Sequence, residues 1–417
     1  MNLMFRKSIF FQSALPMERR LSGNAKLSLA IHWCFTFGSS MSGVFLSLYL
    51  WRLTNDLWVN GMYQLISFAC TPLGFALGGL FAKKKGPMAT IRVGIALTAL
   101  FYLAVVIVQT DVVKYYVWFA IFQALAGSFY WVSYITLMYD VSTDQNRLRY
   151  LALNMITFTT GNLAGPALAG AIIAWSVGLT GYIFVFTLSF IMFVMTALLS
   201  TRLRSASSHH KSYYLKYTGL LMKRSRRFTK MLFGFFTIGL FQGIILFLPN
   251  ILLFEAVGRE DAVGYIGMGL AALTVTTGWL ISKYGRESSA QLYVKAGAVG
   301  LIAGTVLLVV DGQSLWTILL FMSFQNVCFP LIVNTLSAYQ YRIIGGLPLK
   351  GNLRIETVVL RESFLNAGRM LGTFGIILFS AEVSSVWIGI ILLAAASAQL
   401  LLGWLIEKDG DTLQRSA

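Results

Sequence analysis

The chain has 417 residues, 57% of them apolar and 12% charged, with a formal net charge of +17. A mean hydropathy of +0.71 excludes an ordinary soluble domain. It also excludes the nucleic-acid role that so basic a soluble chain would suggest. Cys34, Cys70 and Cys328 fall inside apolar runs without metal-ligand spacing, and are expected to be packing residues.

The first 26 residues hold five basic residues and no apolar core, which fits a tail rather than a cleaved signal peptide. A bilayer needs about 20 apolar residues per helix. Twelve candidate spans follow, at 27–51, 58–81, 89–109, 115–138, 151–175, 179–200, 230–254, 263–281, 293–310, 314–338, 358–381 and 385–406. Spans 8 and 9 have the weakest apolar runs. Trp51, Trp58, Trp118, Trp316 and Trp387 sit near span ends, where tryptophan anchors to the membrane interface.

Span 1 carries a stripe of His32, Thr36, Ser39, Gly43 and Ser47 at helical spacing. Span 2 closes on Gly79-Leu-Phe-Ala-Lys83-Lys84-Lys85-Gly86, a cationic turn in which glycine supplies the bend. Asp140 and Asp144, at the end of span 4, are the expected partners of these lysines. Span 4 has its own stripe, Gln123, Gly127, Tyr130, Tyr134 and Met138. Span 5 opens with Arg149-Tyr-Leu-Ala-Leu-Asn154 and continues as Gly161-Asn-Leu-Ala-Gly165-Pro166-Ala-Leu-Ala169-Gly170. Gly161 and Gly165 share a helix face and admit a close neighbour, while Pro166 removes a backbone bond and bends the helix.

Residues 201–230 hold nine Lys/Arg, two His and no acid. They are too few for a folded domain, and their charge suits a linker lying against anionic headgroups. Span 7 carries Gln242, Ile245 and Pro249, and span 10 carries Asn326, Pro330 and Asn334. Between them lies a second cationic turn, Gly278-Trp-Leu-Ile-Ser-Lys-Tyr-Gly285-Arg286. Span 11 opens with Arg361-Glu362-Ser-Phe-Leu-Asn366, and Arg369 lies two turns beyond Arg361. A charge this deep is costly and is expected to have a partner or a purpose.

Two features recur at about half the chain length. The cationic turns each space their glycines seven positions apart, and Arg149/Asn154 matches Arg361/Asn366 in spacing. Repeats in register point to two equivalent halves. The expected organisation is a tail (1–26), a six-helix half (27–200), a linker (201–230), a second six-helix half (231–406) and a tail (407–417). With both termini in the cytoplasm, 29 of the 33 Lys and Arg lie on the cytoplasmic side, leaving Arg52, Lys114 and Arg259 opposite and Arg369 within a span. The absence of an Asn-x-Ser/Thr site suits a bacterial or organellar cell membrane.

These turns resemble the signature of the major facilitator superfamily, Gly-x-Leu-Ala-Asp-Arg-x-Gly-Arg between helices 2 and 3, with a weaker copy between helices 8 and 9. Here Gly278, Leu280, Lys283, Gly285 and Arg286 fit the second copy, with Ser282 in place of the acid. The first copy keeps Gly79, Ala82, Lys84 and Gly86, but Lys83 stands where the family has Asp. Any latch at this turn must therefore be built differently. Span 5 is similar to the exporter motif Gly-x-x-x-Gly-Pro-x-x-Gly-Gly, departing only at Ala169. The Arg that drug/proton antiporters place ahead of the Gln123 position is missing, and span 1 lacks a buried carboxylate.

The resemblance implies an all-α integral membrane protein, with twelve transmembrane helices in two six-helix halves related by a pseudo-twofold axis. It implies a cavity lined by helices 1, 4, 7 and 10, for which His32, Thr36, Ser39, Gln123, Tyr130, Tyr134, Gln242, Asn326 and Asn334 are candidates, with Arg369 added. Coupling or gating candidates are Arg361, Glu362, Asp140, Lys83, Lys84 and Arg286. Conformational hinges are expected at Gly79, Gly86, Gly161, Gly165, Pro166, Gly278 and Gly285. The expected function is secondary active, proton-coupled export of a small organic or amphipathic solute by a monomer, without cofactor, metal or nucleic acid. Import of a small anion, lipid-linked substrate flipping and membrane enzyme chemistry are the alternatives. No spaced metal cluster, Ser–His–acid set or phosphate loop supports an enzyme.

Overall fold

The computed structural model describes residues 20–142, 147–203, 212–284, 289–310, 314–345, 353–379 and 386–406. Twelve long helices account for most of them: α1 (Gly23–Thr54), α2 (Leu57–Lys85), α3 (Pro87–Val108), α4 (Tyr116–Asp140), α5 (Arg147–Ala174), α6 (Thr180–Thr201), α7 (Arg226–Val257), α8 (Glu260–Tyr284), α9 (Ala290–Val310), α10 (Leu315–Gly345), α11 (Arg354–Phe379) and α12 (Val386–Leu405). Ten of them are long and apolar enough to cross a membrane by length and composition. The other two are α8 and α11. The expected weakness of span 9 is corrected, since its mean hydropathy reaches 2.0. In α11, Arg361, Glu362 and Arg369 crowd one stretch and dilute its apolar run.

Local chemistry sets the turns. Asn55 leaves α1 in a left-handed conformation (φ 48°), and the Asp56 side chain accepts a hydrogen bond from Trp58 N at 2.7 Å to start α2. Gly86 (φ 91°) alone separates α2 from α3, and Pro87 opens α3, where its missing N–H costs nothing. Helix α7 is interrupted at Leu246–Phe247. Pro249 explains the break, because it cannot donate to the Ile245 carbonyl and crowds it.

The packing pattern repeats with a shift of six helices. In the first half α1 packs on α5 and α6, α4 on α2 and α3, and α3 on α6; in the second, α7 packs on α11 and α12, α10 on α8 and α9, and α9 on α12. The halves meet along α5/α8 and α2/α11, which are themselves equivalent under that shift. This is the pseudo-twofold arrangement expected from the repeats. Both seams are antiparallel. Met155 meets Gly278 and Pro166 meets Gly264 on one, while Ile355 meets Gly79 and Ile377 meets Gly61 on the other. The α2 and α8 ends therefore lie on the same face of the molecule, the face that also carries the linker between α6 and α7.

Small residues let helices touch at backbone distance. A Cβ at Gly165 would collide with Ser40 Oγ and lie 2.8 Å from Met41 N on α1. Across α7/α11 a Cβ at Gly239 would meet the Leu365 carbonyl, and one at Gly372 the Leu240 carbonyl. In a bilayer, where apolar burial no longer drives helix association, such close packing is a main source of cohesion.

Candidate functional site: two cavities between the halves

A cavity of about 290 Å³ lies between α2, α4 and α11, toward the linker face. Its walls include Ser67, Phe68, Thr71, Gln123, Trp131, Glu362 and Arg369. Gln123 accepts a hydrogen bond from the Tyr63 hydroxyl at 2.7 Å. Arg369 donates through Nε (3.2 Å) and Nη2 (2.9 Å) to Gln242 Oε1 on α7, and through Nη1 to Asn366 Oδ1 at 3.0 Å. Two turns before Arg369, Glu362 pairs with Arg361 and accepts from Asn366 Nδ2 at 3.4 Å. Arg361 also donates to Gln340 Oε1 on α10 at 3.3 Å. Helical spacing alone sets this cluster on one side of α11, and Gln242 ties it to α7.

A second cavity, of about 440 Å³, lies between the halves toward the face opposite the linker. Its lining is neutral and rich in amides: Gln64, Asn162, Asn250, Gln325 and Asn326, with Ser40 and Ser47 on α1. The side-chain oxygen of Gln325 is buried and has no hydrogen-bond partner among the described residues. Beyond this cavity the halves are cross-linked. Trp51 Nε1 donates to Glu255 Oε1 at 2.7 Å, Arg52 pairs with Glu260 at 3.1 Å, and the Tyr182 hydroxyl donates to Glu260 at 3.3 Å. Trp51 is only 6% exposed. The expectation that it anchors at the interface is thus corrected: its indole N–H is spent on a carboxylate across the halves. Trp58, Trp118, Trp316 and Trp387 are exposed, as anchors should be.

At the linker face Lys83 Nζ lies 3.4 Å from Glu356 Oε1, with side chains 5% and 0% exposed. Lys83 thus pairs with a carboxylate on α11, in the other half; the partners expected from the sequence were Asp140 and Asp144. The Asp140 side chain and Asp144 lie outside the described residues, and Lys84 is exposed. Glu356 Oε1 also accepts Tyr214 N–H at 3.0 Å, and the Tyr213 hydroxyl donates to the Ala76 carbonyl at 3.1 Å. The linker thus wedges into the α2/α11 seam. Burial, and then the Glu356 carboxylate, push the Tyr213 phenol up from its ordinary value. Glu356 was not among the sequence candidates. It lies in the first turn of α11, and only the packing of α11 on α2 brings it to the cationic turn.

The other candidates divide clearly. Asn326 lines the larger cavity, and its side-chain oxygen accepts from Thr274 at 3.0 Å. On α1 the cavity-facing register is Ser40, Gly43 and Ser47, with Ser40 in place of Ser39. His32, Thr36, Tyr130 and Tyr134 line neither cavity; they are buried between α1, α4 and α5. His32 Nδ1 lies 2.8 Å from the Tyr130 hydroxyl, and its ring stacks 3.9 Å from that of Tyr134. Tyr134 in turn bonds Asn154 on α5. Asn334 is exposed on α10.

Among the hinge candidates, Gly161 and Gly165 seat α1, and Pro166 and Gly170 seat α8. Gly79 sits against Ile355 and Tyr213, and Gly278 against Met155. Gly285 and Arg286 lie outside the described residues. Across the face opposite the linker, Arg52, Lys114 and Arg259 each have an acid partner: Glu260, Asp111 and Asp261.

The Major Facilitator Superfamily model matches residues 28–345. An uncharacterized protein of Bacillus subtilis (strain 168), YqgE, is 26% identical over 355 residues, covering 85% of this chain and 82% of that protein. Among solved structures, a bacterial homologue of the iron transporter ferroportin in the inward-facing state superposes with a TM-score of 0.69 at 15% identity, over 92% of this chain and 99% of that one. The D-xylose-proton symporter gives 0.64 at 14% identity, over 92% and 98%. A proton-dependent oligopeptide transporter gives 0.70 at 10% identity, over 92% and 97%. At these identities the likeness concerns the fold.

Proposed function

The chain belongs to the major facilitator superfamily and is a multi-pass secondary transporter rather than an enzyme; from that premise we propose that it is a proton-coupled exporter of a small organic solute. It works as a monomer by alternating access, with both termini in the cytoplasm of a bacterial cell. The observation that carries the coupling is Glu362, the one carboxylate among the described residues lining the two cavities. Coupling to protons requires a group that binds H⁺ differently in the two facing states. Glu362 now holds Arg361, which reaches across to Gln340 on α10. Rearrangement of α10 against α11 exchanges that guanidinium for a proton.

Export rests on the span 5 motif, which here forms the crossing of α1, α5 and α8 and lends Asn162 and Pro166 to the wall of the larger cavity. Gly161 and Gly165 face α1 while Pro166 and Gly170 face α8 across the halves, so one helix links the cavity wall to the seam. The Trp51–Glu255 and Arg52–Glu260 contacts close the face opposite the linker, and they must break for release on that side.

The test is transport in sealed vesicles of defined orientation, across a panel of dyes, organic anions and nutrients, with and without a proton gradient. Export predicts solute movement against the direction of proton flow. Glu362→Gln is expected to abolish gradient-driven transport while leaving solute exchange without a gradient. Wild-type rates of uphill transport in that variant would remove Glu362 from the coupling step. Solute accumulation in the direction of proton entry would overturn export.

A further inference from the structure

The buried charge on α11 does not balance among the residues that touch it. Arg361 gives two N–H bonds to one Glu362 oxygen and a third to Gln340. Arg369 meets neutral acceptors only, Gln242 Oε1 and Asn366 Oδ1. Among the described residues no carboxylate lies within ion-pair distance of it. Two carbonyl-type oxygens take three of the five guanidinium N–H donors. One donor remains on each terminal nitrogen. One face of the guanidinium is covered by the Phe68 ring, 5.5 Å away. Arg361, Glu362 and Arg369 thus sum to a single positive charge in the wall of a 290 Å³ cavity.

An uncompensated guanidinium at this depth is costly. Amide oxygens orient it but bring no countercharge. What completes it is one negative charge on a planar group with two acceptors side by side, which is a carboxylate. A dianion would over-neutralise the site and leave a buried negative charge. The rest of the wall describes the body of the ligand. Phe68, Phe75, Trp131 and Ile135 supply apolar and aromatic surface, and Ser67, Thr71, Gln123 and Ser128 set polar groups beside it. The volume lies at the small end of enclosed ligand pockets, roughly 300–1,000 Å³, so the body is one ring or a short chain.

We propose that Arg369 anchors the carboxylate of a small organic monoanion in this cavity, and that such acids are the transported class. The inference rests on assigning these cavities to the transport path. Gln242 and Asn366 act as positioning residues, holding the guanidinium plane against Phe68.

The test is equilibrium binding to the full chain, purified in detergent without any gradient, with benzoate as probe. Benzamide has the same shape without the charge, and phthalate adds a second charge. Benzoate is expected to bind about tenfold or more tightly than either, as loss of a charge-assisted bidentate contact implies. Arg369→Gln is expected to lose that preference, and Arg369→Lys, which keeps the charge without the fork, to retain part of it. Equal binding of benzoate and benzamide by the wild type overturns the proposal whether or not the variants fold. So does an undiminished preference in Arg369→Gln. If benzoate fails to bind while vesicles move another solute uphill on a proton gradient, the substrate class is wrong and proton-coupled transport stands. If benzoate binds through Arg369 but no proton-driven movement occurs, the anchor stands and the coupling assignment falls.

Discussion

Replacing Lys83 by methionine isolates the energetics of the linker-face latch. At 3.4 Å the attraction between Lys83 and Glu356 is about 5 kcal/mol at an effective dielectric near 20. Removing two ions from water costs several kcal/mol each, so the intact pair contributes little net stability. Lys83→Met leaves the fully buried Glu356 with the Tyr214 N–H but without its countercharge. The expected loss is about 3–5 kcal/mol. In Lys83→Met/Glu356→Gln neither charge is buried, and the amide oxygen introduced by the second substitution still accepts from the Tyr214 N–H. That double variant is expected within about 1 kcal/mol of the wild type. Chemical unfolding in mixed micelles, followed by intrinsic fluorescence, compares the stabilities of the wild type, the single variant and the double variant. A single variant that loses under about 1 kcal/mol, or a double variant as unstable as the single, would refute a buried, desolvated pair.

Three further outcomes follow from the geometry. Gly165→Ala places a Cβ against Ser40 Oγ and 2.8 Å from Met41 N; it should cost about 1–3 kcal/mol in the same unfolding assay, whereas Gly127→Ala, with nothing within 4 Å, should be close to neutral. On the face opposite the linker, Trp51→Phe removes a 2.7 Å bond to a carboxylate and should cost about 1.5–3 kcal/mol, while Arg52→Ala, whose side chain is 37% exposed, should cost about 1 kcal/mol or less; a reversed order would mean that Arg52 carries that closure. The Asp261 carboxyl is held below its ordinary value by its hydrogen bond from Arg259. Its contribution is therefore complete above about pH 4 and is lost as pH falls through the lower folded value, so unfolding midpoints of wild type and Asp261→Asn should differ by the same amount at pH 7 and pH 5.5.

The chain itself determined the solvent, the number of helices and their duplication. Hydropathy marks spans because an unpaired backbone in lipid must fold into helix, and the repeated turns and the Arg149/Asn154–Arg361/Asn366 spacing survive as one-dimensional signals. Arg361, Glu362, Arg369, Gln242 and Gln123 were also legible, because a polar side chain in an apolar helix must find protein or water. The facing of those helices was not. The stripe on α1 divides between a buried cluster at His32 and Thr36 and a cavity wall at Gly43 and Ser47, and Ser40 replaces Ser39 in that wall, since neighbouring residues on a helix point about 100° apart and only packing decides which face is wet. The pairing of Lys83 with Glu356, and of Trp51 with Glu255, joins residues more than two hundred positions apart. Nothing along the chain encodes such pairs. They exist because α2 lies against α11, and α1 against the end of α7, once the two halves close on one another.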